Sequence, residues 1–89
     1  MKILIIDDEK AIRRALREIL EFEDCNVDEA ENGKEGIDKL QKNEYDLIFC
    51  DIKMPIMDGL DVLSNAMKLN IETPIIMISG HGNIETAVQ

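Results

Sequence analysis

The chain has 89 residues, 45% of them apolar but only 3% aromatic, and a formal net charge of −9. That length allows one small domain, residues 1–89, with an aliphatic core. The charge argues against direct binding to nucleic acid or an anionic membrane, and no apolar stretch reaches the ~20 residues that a membrane span needs. Cys25 and Cys50 read as small, reduced core residues. With a single histidine they do not make a zinc site. The sequence shows no secretory signal, which fits a cytoplasmic protein.

Strand and helix patterns alternate along the chain. Residues 2–6 form the first predicted strand, with the apolar run Ile3-Leu4-Ile5-Ile6. KAIRRALREILEF follows, with Ala11, Ile12, Ala15, Leu16, Ile19 and Leu20 on one helical face. Arg13, Arg14, Arg17, Glu18 and Glu21 take the other face, which reads as solvated. Asn26–Ala30 is short and acidic, as expected of an edge strand blunted by charge. Asn32-Gly33 marks a turn into a short helix, GKEGIDKLQK. Asp46 to Cys50 is the third predicted strand.

Met54-Pro55-Ile56-Met57-Asp58-Gly59 reads as a loop, in which Pro55 prevents regular continuation and Asp58 can cap the next helix. That helix carries Leu60, Leu63, Ala66 and Met67. Pro74 opens the fourth strand, Ile75-Ile76-Met77-Ile78, and Ser79 ends it. Gly80-His81-Gly82 reads as a turn with an exposed histidine. Asn83 can cap a last helix, of which IETAVQ is present. Alternation with short loops predicts βαβ units and a parallel sheet.

Three aspartates stand where two apolar runs stop: Asp7 and Asp8 after the first, Asp51 after Leu47-Ile48-Phe49-Cys50. Such runs read as buried parallel strands with the acid at the carboxyl end, where open α/β sheets place their chemistry. Three gathered carboxylates repel unless a divalent cation holds them together. The pattern points to a Mg²⁺ site around a candidate nucleophile.

Asp7-Asp8, the run F-C-D-I-K-M-P-I-M-D-G and M-I-S-G-H-G together resemble the receiver domain of two-component response regulators. The likeness runs from Met1 to Gln89. S-G-H-G-N-I-E-T-A-V is especially similar to receivers of the nitrogen-regulatory type, which precede ATPase activators of an alternative sigma factor. The resemblance implies a flavodoxin-like, doubly wound parallel sheet. It makes Asp51 the phosphoacceptor for a sensor histidine kinase and Ser79 a hydrogen-bond donor to the phosphoryl group. Asp8, Asp51 and the backbone carbonyl of Lys53 would ligate Mg²⁺ directly, and Asp7 through water. Phosphorylation would switch a transcriptional output, by self-catalysed transfer rather than enzymatic turnover. The first helix, with its arginines, is a candidate docking face for the kinase.

The family pattern also calls for a parallel fifth strand, its lysine and aromatic residue, and a last helix. None of these is in the sequence, so four strands in the order 2-1-3-4 are expected. The fourth would then be an open edge, predicting self-association through that strand or the first helix. One rival reading is a receiver fragment that cannot be phosphorylated and acts as a binding or self-association module. Another is a Mg²⁺-dependent phosphatase, which would want its second acid two residues after the nucleophile. Here Asp7 is followed by Asp8 and Glu9, and the M-P-I-M-D-G loop has no place in that class.

Overall fold

The computed structural model describes residues 1–78 in full and the backbone of Ile84–Ala87. The elements in chain order are β1 (Lys2–Ile6), α1 (Lys10–Phe22), β2 (Asn26–Ala30), α2 (Gly33–Lys42), β3 (Leu47–Asp51), α3 (Gly59–Lys68), β4 (Ile75–Ile78) and β5 (Ile84–Ala87). They build one sheet in the order β2-β1-β3-β4-β5. The first four strands are parallel, as the alternation predicts.

Alternation along the strands divides the core into two layers. Leu4, Ile6, Ile48, Cys50, Ile75 and Met77 lie under α2 and α3, with Leu40, Val62 and Ala66 from the helices. Register aligns them in rows across the sheet: Leu4 with Ile48 and Ile75, Ile6 with Cys50 and Met77. The other layer holds Ile3, Ile5 and Val27 beneath Leu16 and Leu20 of α1. That layer is thinner. No residue of α1 is fully buried, and Ile19 and Phe22 on it stand exposed. Each fully buried aliphatic side chain contributes about 1.5–3 kcal/mol, so the layer under α2 and α3 carries most of the stability.

Local chemistry sets the helix ends. Asn32 caps α2 by accepting from the Glu35 N–H at 2.8 Å. Asp58 and Asp61 form a reciprocal capping box at α3. Asp24 and Asn70 leave α1 and α3 in the left-handed region, with φ of 62° and 58°, which short polar side chains tolerate. Strand β3 begins one residue later than the sequence suggests. Asp46 is tied to β1 instead, accepting from the Lys2 N–H through Oδ2 and donating its own N–H to the Lys2 carbonyl, both at 2.7 Å. Asp51 therefore becomes the last residue of β3.

The expected last helix is not formed. Ile84–Ala87 is a strand, antiparallel to β4, with Ile75 opposite Ala87 and Ile78 opposite Ile84. β-branched Ile84 and Thr86 suit a strand. Pairing also satisfies the row of backbone groups that β4 would otherwise leave open. The fourth strand is thus not an edge, and self-association through it loses its premise. Among the described residues, the strand beyond β4 is antiparallel. The Asn83 cap, the Gly80–Gly82 turn, His81 and Ser79 fall outside the described residues.

A second correction concerns α1. Arg13 is largely buried rather than solvated, and it pairs with Glu29 on β2; Arg17 pairs with the same carboxylate but stays 39% exposed. Arg14 is exposed, as expected. Among the described residues, no helix is long and apolar enough to cross a membrane.

Candidate functional site

Strand order reverses between β1 and β3. From β1 the chain goes outward to β2, then returns to place β3 on the other flank. The crevice beyond the carboxyl ends of those two strands is where such sheets bind ligands. Asp7 follows β1, and Asp51 ends β3 at this point. Carboxylate oxygens of Asp7, Asp8 and Asp51 all lie within 4.8 Å of one another. The structure therefore brings together the three acids that the strand ends single out.

Their environments differ. Asp7 is buried at 1% exposure and Asp51 at 8%, while Asp8 is exposed. The Asp7 N–H donates to the Ala30 carbonyl at 3.1 Å, which extends the β1–β2 ladder into the site. Asp7 Oδ1 accepts from the Glu9 N–H at 2.8 Å. Its Oδ2 is buried and has no partner among the described residues. Desolvation is the main reason the Asp7 carboxyl is pushed up to about 6. The Glu9 N–H works against that rise, while Asp51, Asp8 and Glu9 add to it. The Asp51 carboxyl is also raised, first by burial and then by Asp8 and Glu9. N–H groups of Lys53 and Ile52 offset part of this.

A buried carboxylate oxygen without a partner, on an acid clustered with two others, suits a hard cation with oxygen ligands. The donor set fits Mg²⁺, which is commonly bound by one or two carboxylates with waters and phosphate oxygens completing the shell. Lys53 sits two residues beyond Asp51, and its N–H reaches Asp51 Oδ1 at 3.4 Å. Its side chain points to solvent. Cys50, beside Asp51, is an inert core thiol, pushed up to about 12 chiefly by burial and then by the Asp51 charge.

The loop after Asp51 is pinned back onto it. The Gly59 N–H donates to the Ile52 carbonyl at 2.8 Å. A Cβ at Gly59 would lie 2.6 Å from the Asp51 carbonyl oxygen, so α3 can start this close only with glycine. Ile56, in the same loop, is fully exposed and has a φ of 69°.

Arg13 also touches the site and is held by Glu29, although helical periodicity assigns Arg13 to solvent. Arg13 Nη1 donates to the Asp7 carbonyl at 2.7 Å, and its Nε to Glu29 Oε1 at 3.1 Å. Two arginines four residues apart, one of them six residues after Asp7, are the only signal the sequence offers. Their partner lies on another strand and is not visible from helical spacing.

Residues 3–89 match the response regulator receiver domain family. The chain is 47% identical over 88 residues to the transcriptional regulatory protein ResD of Bacillus subtilis, covering 99% of this chain and 36% of that protein. It is 37% identical over 89 residues to the cell cycle transcriptional regulator CtrA of Caulobacter vibrioides, covering all of this chain and 38% of that one. The chain thus spans little more than a third of these regulators. Among solved structures, a CheY-like receiver domain protein from Methanospirillum hungatei superposes with a TM-score of 0.85 at 38% identity, over 92% of this chain and 66% of that one. Response regulator TrrA of Thermotoga maritima, solved in complex with Mg²⁺-BeF, does so with a TM-score of 0.83 at 39% identity, over 90% of this chain and 71% of that one. With the parallel β2-β1-β3-β4 core and the acid triplet at its switch point, these matches make the chain a member of the response regulator receiver family.

Proposed function

We propose that this chain is the phosphoacceptor of a cytoplasmic two-component system, with Asp51 taking a phosphoryl group from the phosphohistidine of a sensor histidine kinase. The observation that carries the proposal is the buried, unpartnered Asp7 Oδ2 in a cluster where one carboxylate oxygen each of Asp7, Asp8 and Asp51 lie within 4.8 Å of one another. An oxygen of Asp51 bonds to phosphorus as the phosphorus–nitrogen bond breaks, and the electron pair of that bond returns to the imidazole. The product is an acyl phosphate on Asp51. When bound, Mg²⁺ supplies the positive charge that lets carboxylates and phosphoryl oxygens meet. Asp8, Asp51 and the Lys53 carbonyl would hold it directly, and Asp7 through water.

The chain's own residues do the rest. Burial strips water from Asp7 and Asp51, which sharpens every charge interaction in the crevice. The Lys53 N–H, 3.4 Å from Oδ1, orients the Asp51 carboxylate. Ser79 directly follows Ile78, the residue in register with Asp51, and in this proposal donates its hydroxyl to a phosphoryl oxygen. The modification adds a charge of about −1.5 to −2 with new acceptor oxygens, which biases a two-state surface read by a transcriptional output. The transfer is a single self-modification, not turnover of a substrate.

Intact mass after incubation with acetyl phosphate and Mg²⁺ tests this. One phosphoryl adduct is expected, and it disappears in Asp51→Asn. A folded chain that gains no adduct, or an adduct that persists in Asp51→Asn, overturns the assignment.

A further inference from the structure

Asp7 and Asp8 are neighbours, so a single peptide plane links the buried acid to the exposed one. The N–H side of Asp7 is held by the β ladder, through the Ala30 carbonyl. Its carbonyl side has left the ladder, and Arg13 Nη1 takes it at 2.7 Å. Rotation of this plane would carry Asp8 away from Asp7 and Asp51. Arg13 opposes that rotation only if its own guanidinium is aimed.

The aim comes from Glu29. Arg13 Nε donates to Glu29 Oε1 at 3.1 Å, and the Arg13 side chain is only 11% exposed. Glu29 is fixed in turn. Arg17 Nη1 donates to its Oε2 at 2.5 Å, and Lys39 Nζ from α2 donates to its backbone carbonyl at 2.6 Å. Arg17 is steadied by Glu21 at 3.3 Å and by the Val27 carbonyl at 3.2 Å. A planar guanidinium can serve two acceptors in fixed directions, which a lysine ammonium does not do. We infer that Arg13, aimed by Glu29, is a positioning residue that holds the Asp7–Asp8 peptide so that both carboxylates face Asp51. This rests on the reading of the acid triplet as a Mg²⁺ site.

The sign of one measurement separates this role from two simpler ones. By charge alone, removing a cation beside an acidic site tightens Mg²⁺ binding, since a repulsion is lost. As a mere staple between α1 and β2, Arg13 would change stability and leave the affinity of the folded chain alone. Positioning predicts weaker binding, because residues that orient metal ligands typically set about 10–100-fold in affinity. Arg17 is the internal control. It pairs with the same carboxylate from the same helix, yet it does not touch the Asp7 carbonyl.

The experiment is Mg²⁺ titration of the folded chain, followed by backbone amide chemical shifts. Arg13→Ala should weaken Mg²⁺ binding about tenfold or more and move the Asp8 and Glu9 amide signals before any metal is added. Arg13→Lys keeps the charge and should still bind more weakly than wild type. Arg17→Ala leaves the Arg13 bond to the Asp7 carbonyl in place and should weaken Mg²⁺ binding less than Arg13→Ala does. Arg13 variants that match or exceed wild-type affinity overturn the inference, and Arg13→Lys decides it should Arg13→Ala not fold. A wild-type chain that takes no Mg²⁺ overturns the reading of the site itself, and the positioning role falls with it.

Discussion

Asp7 and Glu29 lie close together along the β1–β2 edge, and the fold treats their charges in opposite ways. Glu29 is given two arginines, and its carboxyl is held below the usual range, first by Arg17. The Asp7 carboxylate has no cation partner among the described side chains, since Arg13 reaches only the backbone carbonyl. It is buried beside two more acids, and its carboxyl rises to about 6. The chain thus supplies its own counter-charge where a carboxylate ties helix to strand. It supplies none to the Asp7 carboxylate, where the proposed Mg²⁺ would sit. A perturbed carboxyl in a cleft is a functional signal because its cost is left uncompensated.

The largest test of this contrast is the pH dependence of Asp7. A carboxyl raised from 3.8 to about 6 favours the folded state while protonated and penalises it once ionised. Its contribution is therefore fully present below 3.8 and lost as pH rises through about 6. The penalty at pH 7.5 is of the order of 3 kcal/mol, since each tenfold change in an ionisation constant is worth about 1.4 kcal/mol. Asp7→Asn keeps an oxygen for the Glu9 N–H and removes the ionisation. Urea melts without metal should show the variant gaining on wild type between about pH 4 and 7. Parallel curves would break the comparison at its root.

Metal should cancel the same penalty. Mg²⁺ at about 100 times its dissociation constant stabilises the folded chain by about 2.7 kcal/mol. The gain should be larger at pH 7.5 than at pH 5, since protons compete for Asp7. Thermal melts with and without Mg²⁺ measure it, and Asp7→Asn should lose most of it. An equal Mg²⁺ effect in that variant would place the ion elsewhere.

Glu29→Gln should act with the opposite pH sense and a smaller size. A lowered carboxyl stabilises the fold above its unfolded value of 4.5, and that contribution is lost as pH falls through its folded value. Glu29 and Arg17 are partly exposed, so screening limits the effect to about 1 kcal/mol, weaker still in high salt. The same denaturation series reads it. A variant that gains stability at neutral pH would show that the arginines cost more than they return.

The asymmetry explains what is legible in the sequence. Acids that end apolar runs announce themselves, because strand length and burial are local properties; β1 with Asp7 and Asp8, and β3 with Asp51, are readable that way. The capping Asp58 is readable for the same reason. Glu29 is not, because its meaning depends on arginines reached across a helix–strand crossing. The Ile84–Ala87 strand escapes a local reading because an exposed β4 edge, not helix periodicity, decides its state. Ser79 and the Lys53 carbonyl rest on family likeness and on their place in the chain.

A last, smaller effect extends the contrast from charge to backbone. Asp24, Asn70 and Ile56 all have positive φ. The first two are short polar residues at helix ends, where that geometry is common. Ile56 is β-branched, lies in the loop that follows Asp51, and at full exposure gains nothing from burial. A left-handed conformation costs a branched residue about 1–2 kcal/mol, while glycine brings back about 0.5–1 kcal/mol of chain entropy. Ile56→Gly should therefore stabilise the chain by about 0.5–1 kcal/mol without altering the pH profile set by Asp7. Denaturant midpoints at pH 5 and pH 7.5 check both parts. Equal gains at the two values mean that backbone strain and acid burial are separate reservoirs in one corner. A gain that appears only at pH 7.5 means that the loop bends because the carboxylates repel.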